Sequence, residues 1–383
     1  MNRRRSSSAG RLRPAARNAF DVPRRRGKLQ RIIARHDADG LLVVHPANIY
    51  YLTGFTGEDS WLVVTRDGAL LISDSRFTHQ IAEETDGIEV AIAPLGVTRP
   101  AFRAQTLEQM RLARLAVESH RLSHAEHAEL ERSLPRTTLV PGDGWVESLR
   151  VVKDRAEIAE IERSVAVAER AYRAVQAGWT GAESESNLAA ELEYRIRLLG
   201  GSGCSFPPIV AGGVRAALPH ARPTEAELGR APFILIDWGA IVGGYASDLT
   251  RVWAVDRIPP KLARVYQVVL QAQLAAIDRL APGVTLGDVD RAARQVIESA
   301  GFGARFGHAL GHGIGLEVHE APRVGPRQKR PLKAGMVVTV EPGIYLPAWG
   351  GVRIEDDVLV TRNGHRVLST LPKEQPDIVE RLK

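Results

Sequence analysis

The chain is poor in three things. It has one cysteine, Cys204, among 383 residues, so no internal disulfide can form, and a reducing compartment, the cytoplasm, is the expected location. It has no run of about 18 apolar residues, which excludes a helical membrane span. Acid is almost absent from the first 26 residues, which carry nine arginines and one aspartate. That segment also lacks an apolar core region, so it does not read as a secretory signal. Its arginine- and serine-rich composition fits either a transit peptide or a dispensable basic tail; the expectation is a disordered tail over residues 1–26.

The lack of acid there distorts the net charge. The formal charge is +6, residues 1–26 contribute +8, and the rest of the chain is therefore −2. A mildly acidic globular part gives no reason to expect nucleic acid as a partner. Hydrophobic residues at 44% and charged residues at 25% are ordinary for a globular protein, and the length suggests about two domains.

Residues 27 to 140 alternate between two periods. "GKLQRIIARHDADG" reads as an amphipathic helix ending at Gly40. "LLVVH", "WLVVT" and "ALLISD" read as strands. "SRFTHQIAEET" and "RAQTLEQMRLARL" read as helices. "VPGDGWVESLRVVKDRAEI" turns and then opens a long helix, which places a boundary near residue 150.

The second half contains an internal repeat. "FILIDWGAIVGGYASDLTRVW" (233–253) and "VVTVEPGIYLPAWGGVRIEDDVLV" (337–360) share one plan. An apolar strand ends in a carboxylate, Asp237 or Glu341. Glycine follows two residues later, and then a Gly-Gly pair, 243–244 or 350–351. A second carboxylate, Asp248 or Glu355, stands five residues after the first glycine of that pair. Upstream, Gly178 in "QAGWT" matches Gly283 in "APGVT". The offsets of 105, 104 and 107 residues agree. Two helix–helix–hairpin halves about a pseudo-two-fold axis are expected, with helices covering a shared, curved, largely antiparallel sheet.

That symmetry would gather four carboxylates. Most Asp and Glu are solvated strand-end charges, but Asp237 follows "FILI" and Glu341 follows "VVTV", which read as buried. Two like charges 4 Å apart repel by about 4 kcal/mol at an effective dielectric near 20, so the cluster needs cations. Only Arg251 and Arg353 are near in sequence. Divalent metal is the simplest answer.

"GHALGHGIGLEVHE" (307–320) adds three histidines, at 308, 312 and 319. Any one alone reads equally well as a structural imidazole. Together with the hairpins they suggest one metal ligand and two groups lining a pocket. Four carboxylates and one imidazole suit a pair of divalent ions, Mn²⁺ ahead of Co²⁺ or Fe²⁺, and a metal pair sharing a bridging hydroxide suits hydrolysis. The segment is not an H-E-x-x-H helix, which argues against a thermolysin-type zinc site.

At "IDWGA", "GGYASDLTR", "GHALGHGIGLEVHE", "TVEPGIY" and "GVRIEDD", and upstream at "GCSFPPIVAGGVRAALPHARPT", the sequence resembles the M24 metallopeptidases: aminopeptidase P, prolidase and methionine aminopeptidase, the pita-bread fold. "NIYYLTGFTG" and "LISDSRFTHQ" resemble the N-terminal domain of the Xaa-Pro branch. The resemblance implies an α/β creatinase-like N-terminal domain over residues 27–150 and an α+β pita-bread catalytic domain with pseudo-two-fold symmetric halves over 151–383. It implies two divalent metal ions, most simply Mn²⁺, with Co²⁺, Fe²⁺ or Zn²⁺ as alternatives. Their ligands would be Asp237, Asp248, His312, Glu341 and Glu355, with Asp248 and Glu355 bridging. Glu341 would also accept the proton of the attacking water. His220, His308 and His319 would line the substrate pocket, and Arg353 would stand behind the ligands. The implied partners are peptides with proline second and another copy of the chain, as a homodimer.

Two activities fit these residues. An Xaa-Pro aminopeptidase, removing the residue before proline, is the first expectation, on the look of the N-terminal domain. An Xaa-Pro dipeptidase (prolidase) is the alternative. The same fold also hosts metal-free creatinase-type hydrolases and non-catalytic binding proteins. Those lose metal ligands, whereas all five positions are filled here.

Overall fold

The alternating first segment becomes a six-stranded sheet with helices packed on it. The structure, a computed structural model, describes residues 20–381. It divides into two units, Met1–Leu149 and Arg150–Lys383. In the first, the strand order is Glu89–Ala93, Ala69–Asp74, Trp61–Thr65, Gly40–Val43, Arg114–Val117 and Thr138–Pro141. The two inner pairings around Trp61–Thr65 are antiparallel and the other three are parallel. Leu42, Val63, Ile72, Leu107, Leu115 and Leu130 meet in one core.

Two local expectations change. "RAQTLEQMRLARL" does not stay helical to its end. The helix Arg99–Met110 stops where Arg111 takes a left-handed φ of 49°, and Arg114–Val117 becomes a strand paired on both sides. Its apolar run is buried in the sheet, a demand that overrides helical propensity. The basic tail also ends earlier than expected. A helix runs from Val22 to Arg35, with Asp21 accepting a hydrogen bond from the Arg24 backbone N–H. Arg25 and Arg26 are buried. Their guanidinium groups donate to the carbonyls of Tyr51 and Leu52, near the end of the helix Pro46–Thr53. These carbonyls lack helical partners, so cations are favourable there. Residues 22–26 are therefore part of the domain. Residues 1–19 lie outside the described residues.

The second unit shows the repeat. Helices Arg155–Ala177 and Glu185–Leu198 precede the strand pair Phe233–Trp238 and Leu249–Val255. Helices Pro260–Ile277 and Leu286–Ser299 precede Val337–Val340 and Asp356–Thr361. Asp154 opens the first long helix through a capping box with Glu157. The second pair of helices buries Leu262, Val269, Val289 and Ile297 against Val338, Val340, Val352 and Val358.

The strands do not form one continuous sheet. A four-stranded and a five-stranded sheet carry the two halves, and an antiparallel bridge joins Thr250 to Glu355. Gly343–Leu346 and Gly350–Arg353 form a separate ribbon. Pro342, which has no N–H, breaks the ladder between Val337–Val340 and that ribbon.

Candidate metal centre

Local sequence explains how each carboxylate reaches the centre. Asp237 lies opposite Thr250 in the first hairpin. Gly243 and Gly244 turn that hairpin with φ of 57° and 81°, a region glycine enters without steric cost. The chain returns with Asp248 just before Leu249. In the second half Glu341 follows Val340, and its N–H donates to the Leu310 carbonyl at 2.9 Å. Glu355 follows the ribbon strand Gly350–Arg353, and its Oε2 accepts from the Thr250 hydroxyl at 2.7 Å.

His312 enters on a three-residue strand, Gly311–Gly313, between Glu320–Val324 and Val337–Val340. A Cβ on Gly311 would lie 2.1 Å from the Thr339 carbonyl oxygen, and one on Gly313 would lie 2.3 Å from that of Ala321. Only glycine lets the neighbouring backbones pass this close on either side of the histidine. His312 Nδ1 donates to the Gly313 carbonyl at 3.0 Å. Its Nε2 is then the acceptor nitrogen, 3.6 Å from Asp248 Oδ2 and 3.5 Å from Glu341 Oε1.

Donor atoms of Asp248, His312 and Glu355 all lie within 4.8 Å of one another. Burial pushes the Asp248 carboxyl well above the usual carboxylate range, and Glu355, Asp237 and Glu341 push further. Glu355 is raised well above its usual value by burial, then by Glu341 and Asp237. Glu341 is raised to about 8, mainly by burial, with Arg353 opposing. Burial lowers His312 to about 4, which keeps the imidazole neutral, as a metal ligand must be. Asp237 Oδ1 is buried with no hydrogen-bond partner among the described residues. An oxygen-rich, one-nitrogen donor set with an orphaned buried carboxylate oxygen fits divalent cations, whose charge relieves the repulsion.

Arg353 and Tyr345 complete the wall. Arg353 Nη2 donates to Asp237 Oδ2 at 2.5 Å. Its Nη1 donates to the Tyr345 hydroxyl oxygen at 2.7 Å. His308 Nδ1 donates to the Ala309 carbonyl at 2.8 Å, so its Nε2 accepts from the Tyr345 hydroxyl at 3.0 Å. Burial lowers His308 to about 4. Both ring nitrogens of His308 are thus engaged, although its ring lines the cavity. His220 and His319 line the same cavity, about 640 Å³ in volume. The His319 ring lies 4.3 Å from that of His312, centroid to centroid.

The structure therefore brings together Asp237, Asp248, His312, Glu341, Glu355, His220, His308, His319 and Arg353 in one cavity. Sequence reading missed Tyr345, Thr250 and Thr339. Thr339 Oγ1 accepts from the His312 N–H at 3.1 Å and donates to Glu341 at 3.4 Å. A lone threonine in "VVTV" is a weak signal of such a role, because threonine is common in strands. It also missed the cations Arg222 and Arg323 on the cavity wall; Arg323 stands opposite His312 in register.

A carboxylate-rich candidate metal centre on two repeated hairpins, in a chain with a mixed α/β unit before it, defines the class of pita-bread metallohydrolases. Residues 159–362 match the family model "Metallopeptidase family M24", and residues 25–152 match "Creatinase/Prolidase N-terminal domain". The chain belongs to metallopeptidase family M24 and is a peptide hydrolase. It is 32% identical to the Xaa-Pro dipeptidase of Pyrococcus horikoshii over 91% of this chain and 97% of that protein. Among solved structures, an Xaa-Pro dipeptidase from Bacillus anthracis superposes with a TM-score of 0.89 at 33% identity, covering 94% of this chain and 100% of that one. An X-Pro aminopeptidase from Thermotoga maritima gives 0.85 at 35% identity, covering 92% and 100%.

Proposed function

We propose that the protein is a dinuclear-metal Xaa-Pro dipeptidase, cleaving the bond between an N-terminal residue and a C-terminal proline. This is the alternative among the two activities the sequence allowed. The observation that carries it is a single cavity holding both the carboxylate cluster and the two cations Arg222 and Arg323. Among the described residues neither guanidinium has a carboxylate partner. A dipeptide presents its free carboxylate one residue beyond the scissile bond, and a cation on the wall would pair with it. Two of the three relatives described above carry the dipeptidase name.

Asp237, Asp248, His312, Glu341 and Glu355 are the residues that would hold the two ions, and Mn²⁺ is the first choice for such a donor set. Bound divalent ions would supply Lewis acidity, lowering the pKa of a water and polarising the carbonyl. Glu341 takes a proton from the attacking water and returns it to the proline nitrogen as the C–N bond breaks. His220 and His319 donate to the oxygen that gains charge. Arg353 holds Asp237 and, through the Tyr345 hydroxyl, turns the acceptor nitrogen of His308 away from substrate. His308 thus shapes the pocket wall rather than contacting the reacting atoms. A homodimer in the cytoplasm completes the reading, from the family likeness and the single cysteine.

The test is a parallel assay of Mn²⁺-loaded protein on an Xaa-Pro dipeptide and an Xaa-Pro-Xaa tripeptide. A dipeptidase cuts the first and leaves the second. Turnover of the tripeptide at an equal kcat/KM makes the enzyme an aminopeptidase. Light scattering of the same sample reads the oligomeric state.

A further inference from the structure

His319 has an unusual support. It lies in residues 315–319, a bent stretch with no regular secondary structure. Among the described residues, no hydrogen bond holds either nitrogen of its ring. Besides packing on the His312 ring, its position depends on its backbone.

That backbone is gripped on both sides of the histidine by side chains from far away in sequence. Arg150 Nη2 donates to Glu317 Oε2 at 3.0 Å and to Glu320 Oε1. Lys153 Nζ donates to Glu320 Oε2 at 3.3 Å. The Glu320 carboxylate also accepts from the Glu317 N–H at 3.1 Å, closing the bend around itself. Arg150, Lys153 and Glu320 side chains are 2%, 1% and 5% exposed, so this is an ion cluster of the interior. The backbone of Lys153 is itself tied to the segment that leads to Glu341. Lys153 N–H donates to the Gly335 carbonyl, two residues before the strand Val337–Val340 that leads to Glu341. Ile314 N–H donates to the Val337 carbonyl at the other end of the same bend.

Buried ion clusters are poor stabilisers, since desolvating the charges offsets much of their attraction, and apolar replacements are often as stable. Resting on the reading that His319 contacts substrate, we infer that Arg150 and Lys153, clamped on Glu317 and Glu320, are positioning residues that fix His319 over the scissile bond. They touch no reacting atom. "LRVVKD", which serves as a domain boundary in the sequence, thus acquires a part in catalysis.

A double-mutant cycle tests this. Arg150→Met and Glu317→Gln are each made alone and with His319→Ala, then assayed at saturating Mn²⁺ on an Xaa-Pro dipeptide, with bound metal measured by mass spectrometry. Arg150→Met alone should lower kcat by up to about 10²-fold, the scale of a displacement of about 1 Å, with metal content unchanged. Glu317→Gln, whose site is partly exposed and tolerates change, should cost less. In the His319→Ala background both effects should shrink to within about twofold, because a group acting only through His319 has nothing left to position. The same fold-loss in both backgrounds overturns the inference. If Arg150→Met does not fold, Glu317→Gln decides by the same comparison, and no loss of kcat in Glu317→Gln then overturns it. If His319→Ala itself leaves kcat intact, the substrate role of His319 fails, and the positioning role falls with it.

Discussion

Replacing Asp248 by asparagine should have opposite effects on the metal-free and the metal-loaded protein. In the folded, metal-free chain, burial and the carboxylates of Glu355, Asp237 and Glu341 keep the Asp248 proton on to well above the usual range. The unfolded chain releases it near the ordinary aspartate value, about 3.9. A carboxyl raised on folding contributes fully below that value, and its contribution is lost as pH rises toward the folded pKa. Each pH unit over which the folded chain keeps a proton that the unfolded chain releases costs about 1.4 kcal/mol. Asparagine is neutral in both states and removes this cost. It also preserves the donation from the Asp248 backbone N–H to Asp357 Oδ2. In EDTA the variant should therefore match wild type near pH 4 and exceed it increasingly up to pH 8, each kcal/mol gained raising Tm by about 2–4 °C. Saturating Mn²⁺ should reverse the order, because wild type gains the linkage energy of metal that the variant binds weakly. Calorimetry across pH 4–8, with and without metal, reads all of this. A variant less stable than wild type in EDTA at pH 8, or a difference that ignores pH, would refute the repelling-cluster account.

Other expectations follow from the same geometry. His220→Ala and His319→Ala should keep the metals and lose about 10²–10³ in kcat, whereas His312→Ala should lose metal; equal metal loss in all three, by mass spectrometry, would show the roles wrongly divided. Arg323→Met should raise KM for the dipeptide far more than it lowers kcat, and an unchanged KM removes the arginine from carboxylate recognition. Deleting residues 1–26 removes a helix cap worth about 1 kcal/mol and, among the charged hydrogen bonds of Arg25 and Arg26, the two to Tyr51 and Leu52, worth about 1.5–3 kcal/mol each. That deletion should lower the stability of the first unit by about 4–7 kcal/mol in denaturant titrations, and an unaltered midpoint would return Arg25 and Arg26 to the tail.

The proposed ligand set was legible because it is encoded locally, and twice. An apolar run followed by a carboxylate, a Gly-Gly turn and a second carboxylate specify where the hairpins end, and the pattern recurs about a hundred residues later. Glycines around His312 carry the same kind of signal, since close strand approach excludes every larger residue. The end of the basic tail was harder to read, because a run of arginines is usually solvated. Nothing within six residues says that Arg25 and Arg26 will meet the carbonyls of Tyr51 and Leu52. The strand Arg114–Val117 was masked in a helical pattern, because its partners on either side are remote in sequence.

By itself, then, the order of residues determined the two-unit plan, the paired hairpins and the carboxylates and histidine that would hold a metal. Period, turn chemistry and burial act over a few residues, and a repeat doubles their signal. The tertiary structure alone decided which long polar side chains serve them. Arg353 reaches Asp237 across 116 residues, Thr250 backs Glu355 across 105, and Arg150 grips Glu320 across 170. Arginine, lysine and threonine accept many partners, so their roles depend on which backbones the fold brings within about 3 Å, a distance that no local pattern records.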